Sequence, residues 1–157
     1  MTEFLTTALK QGLIAFHIHP SPENTLKGLT PEIVTKRING SPHSIWDLLH
    51  HILFWQDITI EALEDKEVDW ERSKTENWPN PTEAVDIPKL DDCINRFLTG
   101  IKRISDLTEN IDLSSTMASW PQATKMWAIL MIAQHNSYHI GQIVTMRQLL
   151  SHWPPPD

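Results

Sequence analysis

The stretch "HNSYHIGQI", His135 to Ile143, sets two histidines four residues apart inside what otherwise reads as a buried apolar helix. Residues at that spacing stack one turn apart on one helix face. A buried imidazole without a partner costs free energy. The pair therefore has either separate hydrogen-bond partners in the core or one ligand in common, and two neutral imidazoles so placed can share a metal ion.

The helical register tests which other residues join them. On this last helix, positions 128, 131, 135, 138, 142, 145 and 149 form one stripe, reading Ala, Met, His, Tyr, Gln, Thr, Leu. The neighbouring stripe through 132, 139, 143, 146 and 150 reads Ile, His, Ile, Met, Leu. Both His135 and His139 thus fall on the expected inward side. An earlier helix begins near "SPHSIWDLL", and its stripe 44, 48, 51, 55, 58, 62 reads Ser, Leu, His, Trp, Ile, Ala. His51 sits mid-helix on that seam. The adjacent His50 is rotated by about 100° and falls with Asp47, Phe54, Asp57 and Glu61 on a more polar side. Three inward histidines from two helices predict a three-nitrogen metal site between them. Imidazoles suit zinc, nickel, iron or cobalt better than magnesium or calcium. Three protein ligands leave an open position, the arrangement of a catalytic rather than a structural site.

Four helical patterns must carry these residues. The first, about 2–17, has Phe4, Leu5, Ala8, Leu9, Leu13 and Phe16 at spacings of three and four. Pro and Gly break the pattern through "HPSPENTLKGLTPEIVTKRINGSP", a connection with room for a helical turn near "TPEIVTKR". The second helix is expected from about Ser41 to Asp65, with Ser41 as N-cap and Pro42 at the first helical position. A long polar loop with Trp70 and Trp78 follows. The third helix covers about 88–108, on a stripe of Leu90, Ile94, Phe97, Ile101 and Ile104. A loop carrying Trp120 leads to the fourth, about 122–150. No segment alternates strictly enough to predict a strand. The expectation is an all-α fold, a four-helix bundle with long connections, forming a single domain over residues 1–157.

Composition excludes several function classes. The 157 residues carry a formal charge of −7 and 40% apolar side chains. A nucleic-acid binder needs a basic footprint, and an acidic chain offers nothing to an anionic membrane. "MTEFLTTALKQGLIAFHIHP" has an early Glu and no basic region before a long apolar run, so neither a signal peptide nor a membrane span is expected. The lone cysteine, Cys93, permits no internal disulfide and suits a reducing cytoplasm.

Other residues have two readings each. Gln142 is a partner for an imidazole N–H near the metal, or a polar group bonded elsewhere. Tyr138, the sole tyrosine, donates to a substrate oxygen or packs as a seam aromatic, with packing the expectation. Trp55 is expected to pack against the site. His43 lies in the expected first turn of the second helix, about two turns from His51 and too far to share its ion. His17 and His19 form an H-x-H pair, which shares a face on a strand and not on a helix; a second metal there is not expected. Trp70, Trp78 and Trp120 close over the mouth of the site or anchor their loops. Cys93 reads as a small buried hydrophobe.

The blocks "SPHSIWDLLHHILFWQ" and "HNSYHIGQIVTMRQLLSHWPPP" together resemble the DinB/YfiT-like family of small four-helix bundle proteins, as does the lead-in "LTPEIVTKRINGSPHSIW". The label means the damage-inducible bundle family, not the DNA polymerase that shares it. The resemblance spans about Leu29 to Pro156. It rests on a histidine before an aromatic, here His51 with Trp55, and on H-x-x-x-H followed by Gly-Gln, here His135, His139, Gly141 and Gln142. It implies a metal triad of His51, His135 and His139, with zinc or nickel foremost and iron, cobalt or manganese as alternatives. It also implies a cytoplasmic homodimer acting on small molecules. Some of its members resemble S-transferases that use bacillithiol, mycothiol or another small thiol, and others are isomerases or hydrolases. A metal-dependent hydrolase and a non-catalytic metal-binding bundle of the stress response are the alternatives it leaves open.

Overall fold

The computed structural model describes residues 2–15 and 17–156, so Phe16 of the expected first stripe lies outside the described residues. The chain is predominantly α-helical. Helix α1 spans Thr2–Leu13, α2 Pro22–Leu26, α3 Pro31–Thr35, α4 Ile45–Leu63, α5 Ile87–Asn110 and α6 Lys125–Leu149. Helix α1 is shorter than its pattern suggests, because Ala15 and His17 both take left-handed backbone angles just beyond it. Helix α3 occupies the expected turn near "TPEIVTKR", whereas α2 was not anticipated. It starts at Pro22 with Ser21 as its cap.

Two further elements correct the sequence reading. A single 3-10 turn, Trp70–Lys74, lies in the long loop after α4. A hairpin of β1, Thr116–Met117, and β2, Trp120–Thr124, precedes α6, pairing Thr116 with Thr124 and Met117 with Trp120. Strands this short show too little of the two-residue period to be read in the sequence.

The start of α4 is a second correction. Ser44, not Ser41, is the cap. Its Oγ accepts from the Asp47 N–H at 3.1 Å, and the Asp47 carboxylate accepts from the Ser44 N–H at 2.9 Å, a reciprocal capping box. Ser41 instead closes a turn, its hydroxyl donating to the His43 carbonyl at 2.7 Å. His43 is therefore left in the lead-in segment rather than on the helix.

The long helices pack in a ring: α4 lies against α5 and α6, and α1 closes the other side against the same two. Their shared core includes Leu13, Leu49, Ile52, Phe97, Ile104, Ile132 and Ile143. Between α4 and α5, Gln56 runs through the core, its amide donating to the Phe97 carbonyl at 2.9 Å. Gly100 makes room for it, since a Cβ there would stand 2.1 Å from Gln56 Nε2. Asn136 of α6 donates to the same Gln56 at 3.2 Å.

Covered by both α1 and α4, α6 buries a different arc from the one its stripes suggest. Ala128, Ile129, Ile132, Asn136, His139, Ile140, Ile143 and Arg147 are buried. Tyr138 is 66% exposed, and Leu149 and Thr145 also face outward. Two polar residues, Asn136 at 2% exposure and Arg147 at 1%, lie deeper than any apolarity pattern indicates. Among the described residues, no helix is long and apolar enough to cross a membrane.

Candidate metal centre

His51 on α4 meets His135 and His139 on α6, and each offers a ring nitrogen within 4.8 Å of the other two. Among the described residues this is the one such group of three histidine, cysteine or carboxylate side chains. The Nε2 atoms of His51 and His135 are 3.3 Å apart. Ring centroids of the three lie 4.7–5.1 Å from one another. His51 and His139 are each 9% exposed; His135 is half-buried at the flank of α6.

Two of the imidazoles are held from behind. His51 Nδ1 lies 3.0 Å from the Asn77 carbonyl, and His139 Nδ1 lies 2.7 Å from the Gln142 amide oxygen. Both partners are acceptors, so each Nδ1 must carry the proton and each Nε2 must carry a lone pair. Asn77 is itself fixed by its side-chain amide, which donates to the Ser73 carbonyl at the end of the 3-10 turn. Gln142 uses its other end, donating from Nε2 to the Tyr138 phenol oxygen at 3.3 Å. His135 Nδ1 is buried with no partner among the described residues.

The His51 Nε2 lone pair faces His135 Nε2 across 3.3 Å, so either a proton on His135 or a cation lies between them. Ligands around a tetrahedral zinc at 2.0–2.1 Å are separated by about 3.3–3.4 Å. The nitrogen spacing, the fixed tautomers and the all-imidazole donor set therefore fit a divalent transition metal, and these three residues are positioned to hold one.

The electrostatics agree. Burial, reinforced by the neighbouring imidazoles, lowers the pKa of His51 to about 4 against the opposing effect of its bond to Asn77. Burial and the charges of His139 and His51 bring His135 to about 4 as well, and burial also lowers His139. All three are neutral at pH 7, ready to donate lone pairs without first releasing protons.

A pH dependence follows from those shifts. Unfolded histidines titrate near 6.5, whereas folded His51 and His135 titrate at about 4. Between these values the unfolded chain binds protons that the folded chain refuses, so lowering the pH favours unfolding. Metal-free protein is expected to hold its full stability above pH 6.5 and to lose it progressively toward pH 4. Urea midpoints of chelator-treated protein should drop between about pH 7.5 and about pH 5, and drop less in His51→Ala. Equal midpoints at the two pH values would contradict the assignment of buried neutral imidazoles.

The loop residues take definite positions. Trp78 is sandwiched between His51 and His43, with both ring centroids 4.0 Å away and planes within 10° and 3° of parallel. It braces a triad imidazole as well as its own loop. His43 is kept out of the triad and on the far face of that indole. Trp55 meets His51 edge-on at 6.4 Å. Trp70 and Trp120 pack edge to face at 5.4 Å. Trp70 also donates to the Ser119 carbonyl at 3.2 Å, which ties the 3-10 turn to the hairpin. Tyr138 does not pack on the seam; its exposed ring stands edge-on to His139 at 5.0 Å.

His50 points away from the triad as its angle requires, and lines a separate pocket with Trp46, Asp57 and Arg96. His19 is engaged with Ser137 Oγ at 2.6 Å and the Pro20 carbonyl at 2.8 Å. Cys93 is buried in the core, its thiol pushed up to about 12 chiefly by that burial, so it is no nucleophile at neutral pH. Sequence reasoning missed Asn77 and the Trp78 sandwich. Both depend on a loop folding back over α4, which no local spacing announces.

Two cavities flank the triad. On the His135 side is an apolar one of about 250 Å³, walled by Trp55, Trp70 and Trp120. On the Gln142 side lies a groove of about 610 Å³ containing Asn39, Ser41, His43 and Tyr138. Among the described residues, neither is lined by a carboxylate.

Neither the comparison with curated proteins nor that with solved structures returns a match. The sequence profile of the DinB superfamily matches residues 23–143, a span that contains His51, His135, His139 and Gln142. With most of its length and all three convergent histidines inside that match, the chain belongs to the DinB superfamily.

Proposed function

We propose that His51, His135 and His139 bind one divalent transition metal, zinc or nickel first, with iron, cobalt or manganese next, and that the protein transfers a small thiol to an electrophile. The observation that carries this reading is the convergence of three imidazoles, two with their tautomers fixed by Asn77 and Gln142, with an apolar cavity at His135 and a groove at Gln142. When bound there, such a metal lowers the pKa of a thiol so that its thiolate is available at neutral pH.

The residues of the chain divide the remaining work. Gln142 holds His139 in the orientation that keeps its Nε2 free. Because Gln142 donates to the Tyr138 oxygen, the phenol proton is left to donate to a substrate oxygen at the groove mouth. In the reaction a carbon–sulfur bond forms, and the bond to the leaving group breaks with its electron pair. The thiol proton passes to solvent. Hydrolysis of a small substrate is the alternative chemistry. Among the described residues no carboxylate lines either cavity to serve as a general base for it, which favours thiol transfer.

We further take the four long helices, each packed on two neighbours, as a single four-helix bundle domain. The acidic charge and lone buried thiol support a cytoplasmic protein that binds no nucleic acid and no membrane. Homodimerisation and a place in the stress response belong to the same reading, by family analogy.

The test is a titration of cysteine, dithiothreitol and glutathione into the cobalt-loaded protein. A thiolate-to-cobalt charge-transfer band is expected in the wild type and not in His135→Ala. No band with any of the three, together with no turnover of a panel of electrophiles, would overturn the transferase reading.

A further inference from the structure

We propose that the cavity beside His135 receives the apolar half of the electrophile and selects an uncharged aromatic group of one or two rings; this rests on the transferase reading above. Three separate elements supply its indole walls: Trp55 from α4, Trp70 from the 3-10 turn and Trp120 from β2. Ile58, Ala62 and Ala128 complete an apolar lining, which also includes His135. A ligand seated there places one edge against the triad.

Two of the polar groups near its walls are already committed. Thr59 donates its hydroxyl to the Trp55 carbonyl at 2.7 Å. Trp70 spends its indole N–H on Ser119. A charged group entering the cavity would lose its hydration and find no counter-charge, a large penalty. An aromatic ring finds faces and edges to pack against instead.

Size sets the upper bound. An apolar cavity of about 150 Å³ stays dry and takes up benzene. At about 250 Å³ this one has room for a second fused ring. The walls are also braced: Trp120 packs edge-on against both Trp70 and Trp127, at 5.4 and 5.0 Å. A collapsible gap would close on itself, since unfilled apolar volume is destabilising. Trp120, held by Trp70 and Trp127, braces two of the three indole walls and keeps this cavity open beside His135.

Equilibrium dialysis of naphthalene and of naphthalene-2-sulfonate against chelator-treated protein tests the proposal without metal or turnover. Saturable naphthalene binding is expected, with the sulfonate at least about thirtyfold weaker. Met131→Trp, which fills the cavity from a half-buried position on α6, should weaken naphthalene binding at least tenfold while keeping the wild-type melting temperature and metal content. Should that variant fail to fold, the wild-type contrast between the two ligands decides alone. In the cobalt-loaded wild type, naphthalene should shift the visible cobalt bands, because His135 lines the cavity.

No saturable binding, equal binding of the sulfonate, a folded Met131→Trp that binds unchanged, or cobalt bands indifferent to naphthalene would each overturn the proposal. The outcomes separate from those of the thiol titration. Naphthalene failing while the thiolate band appears removes the aromatic selectivity and leaves the transferase reading. The reverse result removes the transferase reading and leaves an aromatic-binding cavity.

Discussion

Replacing His51 by alanine is expected to weaken metal binding by more than the ten- to hundredfold that loss of an outer hydrogen bond typically costs, leaving purified protein nearly metal-free. The substitution removes one of three convergent nitrogens. It also deprives the Asn77 carbonyl of its donor and Trp78 of one stacking partner. The loop that braces the site is loosened along with the site itself. Two companions sharpen the result. His50→Ala, one position away but facing another pocket, should keep wild-type metal content. Gln142→Ala, which leaves all three ligands in place but frees the His139 ring, should lose about ten- to hundredfold in affinity. Competition titrations against a chromophoric chelator, on untagged protein, measure all three. Equal affinities for His51→Ala and His50→Ala would contradict the assignment.

The second large effect lies away from the site. Arg147 is almost completely buried and, among the described residues, has no carboxylate paired with it. Its guanidinium donates to three backbone carbonyls: Thr25, Lys27 at 2.9 Å and His152 at 3.0 Å. It also lies 5.5 Å from the Trp153 ring centroid. One side chain thus pins both the connection after α1 and the C-terminal tail onto α6. Burial lowers its pKa, yet an arginine stays protonated, and the carbonyls solvate the charge in place of water. Arg147→Met fits the volume but leaves those carbonyls without donors, and is expected to cost about 3–5 kcal/mol. For a chain of this size that is a melting temperature lower by roughly 10 °C. Arg147→Lys should not restore it, since one ammonium lacks the planar fork that reaches both segments. Urea denaturation measures the change, and a loss under about 1 kcal/mol would contradict this role. The folded fraction should keep its metal.

The contrast between these residues shows what the sequence makes legible. The triad could be read because its geometry is local twice over: a four-residue spacing on α6, and a register on α4 that separates His51 from His50 by angle. Arg147 and Asn136 could not, because burial of a polar side chain is decided by partners far along the chain, here Thr25 and Gln56. Apolarity alone turned the face of α6 outward enough to expect Tyr138 inside. The capping error has the same root. Ser41 and Ser44 are both plausible caps by residue type, and only Asp47 at the third helical position, reaching back to Ser44, distinguishes them. His43 then fell on the wrong element, and its stack on Trp78 was hidden.

Bound metal is the property on which every role given to the triad depends. Freshly purified, untagged protein should contain about one divalent transition metal per chain. Its X-ray absorption spectrum should show an imidazole shell of three nitrogens at about 2.0–2.1 Å if the metal is zinc. A folded protein that carries no metal, and takes up neither zinc, nickel nor cobalt when they are offered, would contradict it.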